Sequence, residues 1–303
     1  MTNTKGLTMT IVAKASSANY GESLSNISSL KKFTAADGHQ YTYISRQAIR
    51  YNIADQMGIN TTVLVSAGKG AKKVIQYAED ETIQDRTELD LFGYMKTNLS
   101  KKKQMNSASR PAPVRITNAI AQSPYASDYD FLTNLNLAQR FQKAEDNEDL
   151  KPNIAQSEID TAFYVYTISI DLDQIGVDEN DNIELSNDER STRIQQLLDT
   201  IHYLYRDIKG RREDLSPLFI VGGIYDHKNP FFENTVKVNN KSITLDSIKD
   251  TLDDPIVSDH TEAAFIHQIF DNESEIEKTL PTVSMNKFFE NLKKKVNDYY
   301  ASL

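Results

Sequence analysis

The stretch Thr161–Leu172, TAFYVYTISIDL, is the clearest strand in the chain. It is rich in β-branched and aromatic residues. Alternation places Phe163, Val165, Thr167 and Ser169 on one side and Tyr164, Tyr166, Ile168 and Ile170 on the other. On its C-terminal side, Ser186 and Glu189 match a capping box opening a long helix. The stripe of that helix is Ile194, Leu197, Leu198, Ile201, Leu204 and Ile208, and Gly210 closes it. Pro217 then introduces PLFIVGGIY, a buried strand with a glycine pair near its end. A last amphipathic helix is predicted from about Ser284 to Tyr300.

On the N-terminal side, Pro111-Ala-Pro113 leads into VRITNAIA, a second strand. Residues 122–158 are polar and acidic, and residues 59–110 are less regular, with a strand expected over Thr61–Val65 and a short helix over Glu88–Met95. Ser45 reads as the N-cap of the helix RQAIRYNIADQM, which Gly58 ends. Ala48, Ile49, Ile53 and Met57 form its apolar stripe, while Arg46 and Arg50, four apart, share a face. Residues 15–40 show little pattern, and LTMTIVAK (7–14) is the first strand. The strongest elements therefore run strand, helix, strand, strand, helix, strand. That βαββαβ order predicts an α+β fold, the ferredoxin-like arrangement shared by RNA-recognition motifs, here with long insertions. A doubly wound parallel sheet would need more alternating strand–helix units.

Charge narrows the partner. The chain carries −9 overall, yet residues 1–119 hold 16 basic and 9 acidic residues, against 18 and 34 in the remainder. Lys96, Lys101, Lys102, Lys103, Arg110 and Arg115 lie in one stretch without a single acid. Local positive charge, not the net value, decides whether a surface can neutralise phosphates.

Catalytic signatures are scarce. The absence of cysteine excludes disulfides, zinc–thiolate sites and cysteine nucleophiles. His260-Thr-Glu262 lacks the Cys-x-x-Cys of a zinc deaminase, and His-Glu-x-x-His is absent. GKGAKK (68–73) fails the P-loop pattern, and DLDQIGVDENDN (171–182) fails the EF-hand register. No metal or cofactor is expected. No apolar run reaches the ~18 residues of a membrane span, and a cytoplasmic protein without a membrane partner is the simple expectation.

The strings NYGESLSN (19–26), Lys31-Lys32, YISRQAIRYNI (43–53), LFGYM (91–95), RPAPVRITNAIA (110–121), TAFYVYTISIDLDQIG (161–176) and VGGIY (221–225) follow one another in order. On these the chain resembles the DevR-type backbone subunits of the CRISPR type I-B interference complex, Cascade, in the RAMP superfamily. The resemblance implies a single RRM-like palm assembled from discontinuous segments of 1–303. It further implies a finger-like insertion at 59–110, a thumb-like hairpin at 122–158 and a C-terminal extension at 226–303. Non-catalytic copies would line up along a CRISPR guide RNA with other Cascade subunits and leave guide bases free to pair with target DNA.

By position, the resemblance assigns Asn19, Asn26 and Lys31 to an RNA-facing loop, and Ser45, Arg46, Gln47 and Arg50 to the guide backbone. Arg110 and Arg115 match a basic strand start, Gly222 and Gly223 the close-approach glycines of the last palm strand, and Phe131 or Leu132 a thumb wedge. Two rivals stand beside this reading. A RAMP-type endoribonuclease would need a group such as His39, the only histidine near the expected RNA face. A transcriptional regulator would bind duplex DNA, but no helix-turn-helix pattern is present.

Overall fold

The computed structural model describes residues 4–16, 18–24, 27–67, 73–97, 107–145 and 154–303. Its skeleton is β1 (Gly6–Ala15), α1 (Arg46–Gln56), β2 (Val114–Ile116), β3 (Ala119–Ala121), β4 (Ala162–Asp171), α2 (Asn187–His202), β5 (Phe219–Tyr225) and α3 (Met285–Ala301). β1 pairs antiparallel with β4 on one side, Met9 opposite Ile168, and with β5 on the other, Thr8 opposite Gly223. β2 and β3 both pair with β4, so the central order is β5, β1, β4, then β2 and β3. That is the strand order of a split βαβ fold. Strands Gln40–Ile44 and Lys32–Thr34 extend one edge; Thr261–Phe265 and Thr282–Val283 extend the other.

The alternation read in the sequence divides two cores. On one face Leu7, Met9 and Ile11 of β1 and Tyr164, Tyr166, Ile168 and Ile170 of β4 pack beneath α1, α2 and α3. Ile49 and Ile53, Leu197 and Ile201, and Phe288 and Leu292 are the helices' contributions. On the other face Val12, Val165, Phe219 and Val221 meet residues of the 232–280 segment, among them Phe232, Ile248, Phe270 and Ile276. Both faces of the central strands are dry, which is why they carry so few charges.

Several expectations change. The stretch 114–121 is two strands rather than one: Ile116 lies opposite Ile168 but Ile120 opposite Val165, so an extra residue at Thr117-Asn118 shifts the register. The helix opened by Ser186 stops at His202, not Gly210. Tyr205–Ile208 and Arg211–Asp214 form a hairpin instead, turned by Lys209 (φ 50°) and Gly210 (φ 77°). Two successive positive φ values make the tight turn whose twist suits a hairpin. Ile208 therefore belongs to a strand, while Leu204 still reaches the first core. Ser186 Oγ accepts from Glu189 N at 3.3 Å, but the Glu189 carboxylate turns to Arg193, so only half of the capping box forms.

Residues 15–40 are more ordered than their composition suggests. Strands Tyr20–Leu24 and Ile27–Leu30 join Asp128–Thr133 and Ile154–Ile159 in a second sheet of four strands. The expected strand over Thr61–Val65 is the hairpin Leu64–Ala67 with Val74–Tyr77, and the short helix spans Thr87–Phe92.

The C-terminal end of α2 carries a pH-sensitive contact. The His202 ring is stacked between Tyr203 (4.1 Å between centroids) and Phe289 of α3 (4.3 Å). Burial, and next the nearby Lys293 ammonium, lower its pKa below the ordinary 6.5, with Asp199 opposing. The folded chain thus binds this proton less readily than the unfolded one. Stability from this site is complete above pH 6.5 and declines as pH falls through the lowered folded value. A thermal-melting series from about pH 7 to about pH 5 should slope less for His202→Gln than for the parent. Equal slopes would show that His202 is not the titrating group.

Candidate nucleic-acid interface

The start of α1 is tied down from both sides. Ser45 caps the helix, its Oγ accepting from Ala48 N at 3.4 Å and donating to Asn19 Oδ1 at 2.7 Å. The Ser45 N–H also donates to Asn19 Oδ1, at 3.2 Å. On the opposite side Arg46 N donates to Asn118 Oδ1 at 2.9 Å, and Asn118 sits in the break between β2 and β3. Asn19 Oδ1 thus takes both Ser45 donors, while Asn19 Nδ2 donates to the Tyr20 carbonyl at 3.2 Å, so both side chains position the helix start. Asn118, which the sequence reading passed over, completes the clamp. Its only sequence signal is its place inside an otherwise strand-like run.

This clamp aims the first turn of α1 into a cleft of about 400 Å³. Arg46, Gln47, Arg50 and Arg115 form its polar wall, and Phe92, Ala112, Val114 and Ile116 its apolar floor. Arg46 and Gln47 are exposed, and neither side chain has a hydrogen-bond or ionic partner among the described residues. Arg50 is held: Nη2 donates to Tyr77 Oη at 3.0 Å and lies 3.5 Å from Glu88, while Cζ sits 4.8 Å from the Phe92 ring centre. Arg115, half-exposed, pairs with Asp171 at 2.8 Å. Arg46, Gln47, Arg50 and Arg115 are therefore brought together, from segments more than sixty residues apart.

Two further hollows adjoin the cleft. A polar one of about 440 Å³ shares Arg115 and adds Asn180, Gln174 and Lys228, the last paired with Asp173. A groove of about 960 Å³ begins at Thr117-Asn118 and runs past Thr167, Tyr41 and Asn239. His39 lies at the exposed turn beside this groove but borders none of the three hollows.

Other candidates have different settings. Arg110 is buried, and all five of its N–H donors are spent. They go to Val177 O, Leu89 O, Asp90 O, Asp90 Oδ1 and Gln174 O. The geometry corrects the expected phosphate contact, because no donor remains for an outside ligand. Lys96 is likewise buried, its ammonium donating to the Glu79 and Glu81 carbonyls. The basic stretch thus loses two of its six cations to the interior, and Lys101, Lys102 and Lys103 lie outside the described residues.

Gly222 and Gly223 sit buried mid-sheet, so their close approach is to β1 and to the turn before Thr261–Phe265 and not to RNA. A Cβ at Gly222 would lie 2.1 Å from Thr8 O, and one at Gly223 2.0 Å from His260 O. Lys31 is half-buried beside Gly21, and Asn26 lies outside the described residues. Phe131 and Leu132, on the strand Asp128–Thr133, are 62% and 68% exposed.

No helix is long and apolar enough to cross a membrane among the described residues. No curated protein matches the chain. Among solved structures, a chain from a "CRISPR RNA-guided surveillance complex, pre-nicking" superposes with a TM-score of 0.56 at 10% identity, covering 95% of this chain and 100% of that one. A chain from a second "CRISPR RNA-guided surveillance complex" gives 0.54 at 12% identity, covering 95% and 99%. At such identities the likeness is one of fold. A sequence match to the family described as "CRISPR-associated negative auto-regulator DevR/Csa2" extends over residues 7–244, and the chain belongs to that family.

Proposed function

We propose that this chain is a non-catalytic backbone subunit of a type I-B Cascade complex, which holds a CRISPR guide RNA for recognition of target DNA. The observation that carries the reading is the cleft at the start of α1, where Arg46, exposed and without an ionic partner among the described residues, stands with Gln47, Arg50 and Arg115 over an apolar floor. A guide must be held whatever its spacer, so contacts to phosphate and ribose should dominate those to base edges. Family membership and the fold shared with chains of RNA-guided complexes support the same assignment.

In this reading the β1–β5 sheet is the palm, 59–110 the finger-like insertion, 122–158 the thumb-like insertion and 226–303 an extension closing the second core. Two apolar patches on separate arms favour head-to-tail stacking of copies. One is the hairpin carrying Leu64, Val74 and Ile75, the last 78% exposed; the other carries Tyr129, Phe131, Leu132, Leu137 and Phe141. Patches that differ from each other suit a heterologous contact, which repeats into an open filament. Phe131 and Leu132 are the side chains proposed to wedge into the guide.

The test is purification of the chain from cells with active CRISPR arrays, followed by sequencing of bound RNA. Uniform repeat-plus-spacer RNA is expected, and its absence would overturn the proposal. Metal-independent cleavage of repeat RNA, abolished by His39→Ala, would favour the endoribonuclease instead. Sequence-specific duplex binding would favour the regulatory role in the family's description.

A further inference from the structure

We infer that Arg50 is a stacking platform for one RNA base rather than a phosphate contact, an inference that rests on the RNA-binding reading above. Arg46 and Arg50 share a helix face and line the same cleft, yet their surroundings differ. Arg46 is exposed and has no ionic partner among the described residues. Arg50 is backed on one side by Phe92, with Cζ 4.8 Å from the ring centre. The Glu88 carboxylate lies 3.5 Å from its Nη2 and offsets its charge.

That carboxylate is itself immobilised. Tyr77 Oη donates to Glu88 Oε1 at 2.9 Å, and Thr62 Oγ1 donates to Oε2 at 2.8 Å. One Arg50 Nη2 N–H is donated to Tyr77 Oη at 3.0 Å, which fixes the guanidinium plane against the insertion. An arginine so neutralised attracts an anion weakly. What it keeps is a flat, oriented guanidinium whose outer face lines the cleft.

Guanidinium planes stack on nucleobases, and stacking tolerates any base because every base has a π-face. The apolar floor of Val114 and Ile116 suits the rest of such a base. The cleft volume of about 400 Å³ is that of an ordinary small-ligand site. Arg46 would then take the adjoining phosphate. The insertion 59–110 supplies Thr62, Tyr77, Glu88 and Phe92, so it holds the platform flat from outside the palm.

The experiment compares binding of the full chain to an oligoadenylate and to a spacer oligomer of equal length that keeps the phosphates but lacks bases. Arg50→Lys keeps charge and loses the plane; Arg50→Gln keeps a plane and loses charge. Arg50→Lys should weaken oligoadenylate binding about tenfold and leave spacer binding within about twofold, with Arg50→Gln binding oligoadenylate better than Arg50→Lys. Arg46→Ala should weaken both oligomers alike and reduce the salt slope by about 0.7. The ratio of the two affinities is read within each variant, so a partly unfolded preparation does not distort it. Equal losses on both oligomers for Arg50→Lys, or Arg50→Lys outperforming Arg50→Gln, would overturn the platform while leaving RNA binding intact. Failure of the parent chain to bind either oligomer would overturn both.

Discussion

Asp90→Ala is expected to cost about 3 to 5 kcal/mol of stability, the usual penalty for leaving a buried ion pair with one partner missing. The Asp90 side chain is fully buried between two guanidinium groups. Oδ1 accepts from Arg110 Nη2 at 2.8 Å and Oδ2 from Arg193 Nη1 at 2.9 Å. Oδ1 also takes the Gly176 N–H at 2.8 Å. Asp90 stands on the short helix Thr87–Phe92, and its partners come from the strand Ser107–Arg110, the turn after β4 and α2. Removing the carboxylate strands two cations in a site shielded from water, and each keeps only backbone carbonyls or, for Arg193, Glu189 as well. Urea denaturation read by circular dichroism measures the effect. A loss below about 1 kcal/mol would mean that the two arginines find solvent by a local rearrangement. Asp90→Asn should cost less, because an amide oxygen in the place of Oδ1 still accepts two of the three bonds.

The double substitution Arg46→Ala with Arg50→Ala should weaken guide binding about thirtyfold, and to the same degree for unrelated spacers. Two contacts of roughly 1 kcal/mol each at a partly exposed site set that magnitude. Filter binding or fluorescence anisotropy with three or more guides of different spacer sequence would measure it. Neither a phosphate contact at Arg46 nor a stacking contact at Arg50 distinguishes one spacer from another. A loss that varies strongly with spacer would contradict both contacts and point to base-edge readout.

The two predictions draw on residues that differ in legibility. Ser45 could be read as a helix cap because its role depends on neighbours three residues away, and the structure has its Oγ on Ala48 N. β4 was legible for a similar reason. Two-residue alternation is a property of one strand, and its two sides do enter two different cores. The hairpin at 205–214 was not, because Leu204 and Ile208 continue a helical spacing while the turn depends on two positive φ values. Nor were the strands within 20–34. They are polar, and part of their pairing comes from Ile154–Ile159, more than a hundred residues away.

Local sequence was enough to order the six strongest strands and helices, to assign the faces of the central strands and to reveal the positive balance of the N-terminal third. Each follows from local spacing or a count along the chain. Which cations remain outside is settled by long-range packing. Arg110 and Lys96 are lost to the interior through acceptors from other parts of the chain, while Arg46 stays exposed and Arg50 is held against Phe92. Charge is written residue by residue. Its exposure depends on which carboxylates and carbonyls folding brings within hydrogen-bond reach, and those lie far away in sequence.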